Sequence, residues 1–150
     1  MKRPVFKLAL FLLVFSTLVF YNYQVAQKKL KNVKDTVFSI NIINPATSAK
    51  VNEPVSFSWS VDAPSNFQTK YTTIYYGNVS TPSALVKTSS PDSVKYKFRS
   101  GDYVGDNFYL PNTFSSNLTF SKAERIWYRG YAKIGDDHLW TEEKYLDIQP

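Results

Sequence analysis

The sequence predicts an all-β fold, a single sandwich of seven or eight short strands, preceded by one N-terminal transmembrane helix. Two observations carry the sandwich. From Thr36 onward, apolar and polar residues alternate in short runs, and turn signals recur about every ten residues. A third observation carries the helix: Leu8 to Tyr21 is a long apolar run without a single charge.

The apolar run is extended across Lys7 by Val5 and Phe6, giving Val5 to Tyr21 as the stretch expected to meet membrane lipid. Its length is at the short end of what crosses a hydrocarbon core of about 30 Å, and Lys7 can snorkel toward the headgroups. A cleaved signal peptide would show small residues just after the apolar run. Here the run leaves through Phe20, Tyr21 and Tyr23, which favours an uncleaved anchor. Lys2 and Arg3 precede the span, so the tip is expected in the cytoplasm and the C-terminal domain outside it, at the cell membrane.

After the span, Tyr23, Ala26, Leu30 and Val33 recur at helical spacing, with lysines between them. The expected division is therefore 1–22 as cytoplasmic tip and anchor, 23–35 as a helical stalk, and 36–150 as the sandwich. Leu30 and Val33 are the candidate helix-packing residues, should the stalk instead be a seam for self-assembly.

Charge follows the same division. The formal net charge of +6 suggests nucleic acid only until it is placed along the chain. Residues 1–34 hold seven bases and no acid, whereas 35–150 hold eleven bases and twelve acids. The excess thus belongs to the membrane flanks, and no nucleic-acid partner is expected. With no cysteine there is no disulfide, thiolate chemistry or cysteine metal site.

Strands follow in order. Phe38, Ile40 and Ile42 alternate with Ser39 and Asn41, and Asn44-Pro45 closes the run. Val55, Phe57, Trp59 and Val61 alternate with serines, dividing one face as core from one as wet. Lys70 to Tyr76 is a third strand. Val94, Tyr96 and Phe98 alternate with Lys95, Lys97 and Arg99, which predicts a strand with a basic outer face. A loop, Gly101 to Pro111, precedes a strand marked by Phe114, Leu118 and Phe120. Ile126 to Ile134 is the longest strand, and Gly135-Asp136-Asp137 turns it into Trp140 to Ile148.

The stretch around Trp59 resembles the second strand of fibronectin type III and related immunoglobulin-like domains, which carries a core tryptophan. Tyr128-Arg129-Gly130-Tyr131-Ala132, with the hairpin and Trp140-Thr141-Glu142 after it, resembles their sixth and seventh strands. The pattern departs at Ile126, where a corner tyrosine is usual, and at Gly130, which replaces a core aliphatic. The resemblance implies two sheets and a module for binding, spacing or assembly at a cell surface.

No catalytic constellation emerges, and no enzyme, cofactor or metal is expected. His138, the sole histidine, reads as an exposed turn residue, and Asp102, Asp106 and Asn107 as loop polars. Tyr103, Phe108, Tyr109 and Leu110 form the candidate binding surface, because a loop exposing them invites a partner. Asn78-Val79-Ser80 and Asn117-Leu118-Thr119 match the N-glycosylation pattern, making Asn78 and Asn117 candidate acceptors. The function expected is a membrane-anchored, extracytoplasmic interaction or adhesion module with a protein or glycan partner. The alternative is a subunit or accessory anchor of a pilin-like surface assembly, packed through its N-terminal helix.

Overall fold

The computed structural model describes residues 14–25 and 37–150. The chain divides into two compact units, Met1–Thr36 and Val37–Pro150. In the first, residues 14–25 form a helix whose Val14, Leu18, Val19 and Phe20 are all exposed. Among the described residues no helix is long and apolar enough to cross a membrane. The rest of the expected span and stalk, including Leu30 and Val33, lies outside the described residues.

The second unit is built from strands. They are β1 (Ser39–Ile43), β2 (Ser48–Lys50), β3 (Pro54–Asp62), β4 (Gln68–Gly77), β5 (Phe98–Arg99), β6 (Val104–Tyr109), β7 (Asn112–Thr119), β8 (Arg125–Ile134), β9 (Asp137–Trp140) and β10 (Lys144–Gln149). The smaller sheet has the order β1-β3-β7. The larger runs β2-β10-β8-β4-β5, with β6 also on β4 and β9 also on β8. Every pairing is antiparallel except β2 with β10. Sequential strands thus divide between two sheets in the immunoglobulin-like manner.

The strand count exceeds seven or eight because two edges are broken. β9 and β10 share one side of β8, at Tyr131–Ile134 and Arg125–Tyr128 respectively. Likewise β5 and β6 share the free side of β4.

β3 behaves as its alternation requires: Val55, Phe57, Trp59 and Val61 are buried, and Pro54, Ser56 and Asp62 are exposed. Trp59 has no exposed surface and joins the two sheets. Its Nε1 donates to Thr72 Oγ1 of β4 at 2.8 Å, and that hydroxyl donates to the Tyr131 carbonyl of β8 at 2.8 Å. Phe57 meets Tyr128 edge-on across the core, with centroids 4.9 Å apart. A bonded indole and hydroxyl let polar atoms lie in the core without penalty.

Gly130, where the resembled domains carry an aliphatic residue, is explained by what surrounds it. A Cβ there would lie 3.0 Å from Thr141 Cγ2 and 3.3 Å from Ile42 Cδ1, so neighbouring side chains already occupy the space.

Two local expectations are corrected. Val94 to Lys97 is not a strand; only Phe98–Arg99 pairs with β4, and Tyr96 turns inward. The expected loop after Gly101 contains β6, which gains strand geometry from pairing with β4 rather than from its own pattern.

Candidate binding face on the larger sheet

Alternate residues of β4, β8 and β9 point away from the core and build the outer face of the larger sheet. Its centre is aromatic. Tyr131 meets Trp140, Tyr71 and Tyr75 at centroid distances of 4.6, 5.3 and 5.5 Å. Hydroxyls and ring nitrogens are paired: Tyr71 with Tyr75 at 2.7 Å, Tyr131 with His138 Nδ1 at 2.6 Å, and Trp140 Nε1 with the Ser89 carbonyl at 2.8 Å.

The segment between β4 and β5 folds over this centre and is fastened there by Arg129. The guanidinium is buried. It donates to the carbonyls of Thr141 at 2.7 Å, Thr81 at 2.8 Å and Ser83 at 3.1 Å, and to Tyr96 Oη at 3.1 Å. Glu143 completes the fastening by accepting from Tyr96 Oη, Ser80 Oγ and the Thr81 amide, each at 2.5 Å. Burial pushes the Tyr75, Tyr96 and Tyr131 phenols well above their ordinary range; Glu143 pushes Tyr96 further, against an opposing pull from Arg129. Arg129, Glu143 and Tyr96 are consumed in holding the segment down, while Tyr75 and Tyr131 pair within the sheet.

Beyond the fastened segment the face opens into a cleft of about 440 Å³, lined by Gln68, Lys70, Tyr71, Asn107, Lys133 and Gly135. Three features of the backbone shape it. Tyr71 and Lys133 are register partners across β4 and β8. β6 bulges between its pairs to Thr69 and Tyr71, so that Gly105, Asp106 and Asn107 lie opposite Lys70 alone. Gly135, at φ +58°, turns the β8–β9 hairpin, a conformation that suits glycine.

Tyr71 is held in place. Arg99 Nη1 donates to its hydroxyl, and the guanidinium lies over the ring, 5.2 Å from the centroid. The Tyr71 hydroxyl in turn raises the Arg99 pKa above its ordinary value. Thr69 Oγ1, bonded to the Tyr71 and Lys133 carbonyls at 3.0 and 2.8 Å, locks the cleft floor. Lys70 and Lys133 are exposed, and neither has an ion pair among the described residues.

The residues expected to form a binding loop are distributed differently. Leu110 is buried at 4% exposure, and Phe108 is half-buried against Phe114, 5.8 Å between centroids. Tyr103 packs on Trp59 and Phe114, and its hydroxyl donates to the Ser115 carbonyl at 2.9 Å. Leu110 belongs to the core and Tyr103 and Phe108 to its periphery, so the premise of an exposed apolar loop is corrected; Tyr109 alone of the four is exposed. The physical reason is the pairing of β6 with β4, which turns Phe108 toward the core.

Asn78 and Asn117 are both exposed, Asn78 after β4 and Asn117 within β7. His138 is corrected from an exposed turn residue to a half-buried strand residue of β9. Asp102 accepts from Ser116 Oγ at 2.5 Å. Among the described residues no group of three His, Asp or Glu is placed to hold a metal ion. The sequence carries no mark of the cleft, because only the pairing of β4 with β8 brings Lys70 and Lys133 to one concavity.

No protein-family model and no curated protein matches the chain. Among solved structures, it is similar to the PKD domain of an M14-like peptidase from Thermoplasmatales archaeon SCGC AB-540-F20, at 12% identity and a TM-score of 0.47, covering 77% of this chain and 98% of that one. It is also similar to a superoxide reductase from Ignicoccus hospitalis, at 13% identity and 0.44, covering 78% and 85%. A CARDB domain from Pyrococcus furiosus is similar at 6% identity and 0.40, covering 76% and 89%. Likeness at this level carries no functional argument, and the fold stands on the strand pairing described above.

Proposed function

We propose that this chain is an extracytoplasmic interaction module, tethered by its apolar N-terminal segment and presenting the Lys70–Lys133 cleft to a protein or glycan partner. One observation carries the reading. Polar groups across the centre of the outer face are bound into the fold, whereas two lysines at its end stand unpaired around a fixed tyrosine. Charges that do nothing for the fold, gathered in a concavity, are what a binding site requires.

Two further features support the tether. Residues 14–25 expose apolar side chains around the helix, which suits lipid or neighbouring helices better than water. The seven bases of residues 1–34 suit headgroups on either side of an apolar span. Binding rather than catalysis fits the side chains on the face. The sole histidine is engaged with Tyr131 through Nδ1, and the Glu143 carboxylate with three donors, so both are employed in holding the fold together.

The test is retention of the full chain, in detergent, on a panel of immobilised glycans and proteins. At least one surface is expected to retain it, with Lys70→Glu and Lys133→Glu each lowering retention at least tenfold and Lys50→Glu leaving it unchanged. Equal retention of all variants on every surface overturns the reading. Cross-linking in the membrane tests the tether separately: monomers support it, and ladders favour the assembly subunit.

A further inference from the structure

We infer that the Lys70–Lys133 cleft takes a carboxylated sugar, an acidic oligosaccharide presenting one or two carboxylates. The inference rests on the cleft being the binding site of the module and names what enters it.

The lining divides into three chemistries. Lys70 and Lys133 supply two ammonium groups, each able to donate three hydrogen bonds and accept none, so they favour a ligand that brings acceptors and negative charge. Gln68 and Asn107 supply amides, which donate and accept at once and therefore match vicinal hydroxyls. Tyr71 lines the cleft with the part of its ring that Arg99 and its tyrosine neighbours leave uncovered, an apolar surface for the C–H groups of a pyranose ring. A carboxylated sugar uses all three together. The volume of about 440 Å³ suits one or two sugar rings and lies within the roughly 300–1,000 Å³ of small-molecule sites.

Other classes fit less well. A divalent cation is repelled by the lysines. A nucleic acid needs a continuous basic footprint, yet Val37–Pro150 carries eleven bases and eleven acids. The positive field is local, matched to a ligand of low charge. Asp106 stands in the bulge beside Asn107 but does not line the cleft. Tyr71 is held by Arg99 and by Tyr75, so this surface is fixed before the ligand arrives, which limits the ordering cost of binding.

Calorimetric titration of the full chain in detergent tests this, with trisaccharides of galacturonate, glucuronate and sialate as probes. The controls are galactotriose, inorganic phosphate and a single-stranded DNA oligomer. At least one acidic trisaccharide is expected to bind at least tenfold more tightly than every control. Lys70→Ala and Lys133→Ala should each weaken it about tenfold, with circular dichroism and the unfolding midpoint preserved. Tyr71→Ala should weaken it, while Lys50→Ala should not.

Failure of all three acidic sugars overturns the inference, as does equal binding by galactotriose, phosphate or DNA. If the acidic sugars fail while some other surface still retains the chain through Lys70 and Lys133, the ligand class is wrong and the site stands. If no retention anywhere depends on those lysines, both readings fall.

Discussion

The two faces of the larger sheet are made by alternate residues of the same strands, yet they are held by different forces. On the inner face Ile74, Tyr128, Ala132 and Leu146 pack against Phe57, Trp59 and Phe114 of the smaller sheet, and burial of apolar area does most of the work. On the outer face Tyr75, Arg129, Tyr131 and Trp140 are covered by a long segment through directional bonds to carbonyls and hydroxyls. The first face tolerates no vacancy. The second is fastened at its centre and stops short of Lys70 and Lys133, where the sheet meets solvent. Where the directional network ends, side chains become available for binding.

The sharpest way to break the inner face is Trp59→Ala. It removes the largest fully buried side chain and the bond to Thr72. The expected loss is about 3–5 kcal/mol, read from urea unfolding of the full chain in detergent. Trp59→Phe keeps most of the area and loses the hydrogen bond, at about 1 kcal/mol. Equal losses for the two would mean that the bond, not packing, governs this face.

Arg129→Met breaks the outer face instead. Three carbonyls and Tyr96 Oη lose their donor, and the expected cost is about 1.5–3 kcal/mol. Its distinctive signature is regional. Amide exchange should accelerate between β4 and β5 while β3 keeps its protection. Uniform acceleration through both sheets would show that the outer network is part of the global core.

This contrast also marks what the sequence could disclose. The inner face is written in period-two alternation, so Val55 to Val61 announces a strand and its buried side. The outer face depends on partners distant along the chain. Arg129 bonds carbonyls at Thr81 and Ser83, and that distant anchoring diverts Tyr96 from the strand its neighbours suggest. β6 was hidden for the same reason: its glycine at positive φ and its bulge disturb the local pattern, and pairing with β4 makes the strand. The cleft was the least legible feature. An exposed lysine has no local mark of function, and Lys70 and Lys133 converge only through register and a neighbouring hairpin turn.

Alkaline titration probes both faces with one variable. Tyr128 on the inner face has no exposed surface, and burial raises its phenol to about 12. The unfolded chain ionises this group near pH 10, while the folded chain keeps its proton. Stability from Tyr128 is therefore complete below pH 10, falls by about 1.4 kcal/mol per pH unit above it, and levels off once pH passes about 12. Tyr75, Tyr96 and Tyr131 shift in the same direction and steepen the decline. Tyrosinate absorbance from these buried rings should rise with loss of circular dichroism. A rise well ahead of unfolding would mean that water already reaches them.

The smallest expected effect sharpens the comparison most. Lys70→Ser and Lys133→Ser remove side chains that have no ion pair among the described residues, while the Thr69 bond to the Lys133 carbonyl is untouched. Each should change unfolding free energy by less than about 0.5 kcal/mol, the ordinary range for surface positions outside a structural network. The double variant should be less stable than the sum of the two single effects, since the first substitution already relieves the repulsion between the two ammonium groups. A stabilisation is also informative, because two like charges facing one cleft repel in the empty protein and that repulsion disappears on substitution. A loss above 1 kcal/mol would place the lysines in the fold's own network and remove the basis for assigning them to a ligand. Stability indifferent to these residues, measured beside binding that depends on them, is the result that separates a face built for folding from one left open for a partner.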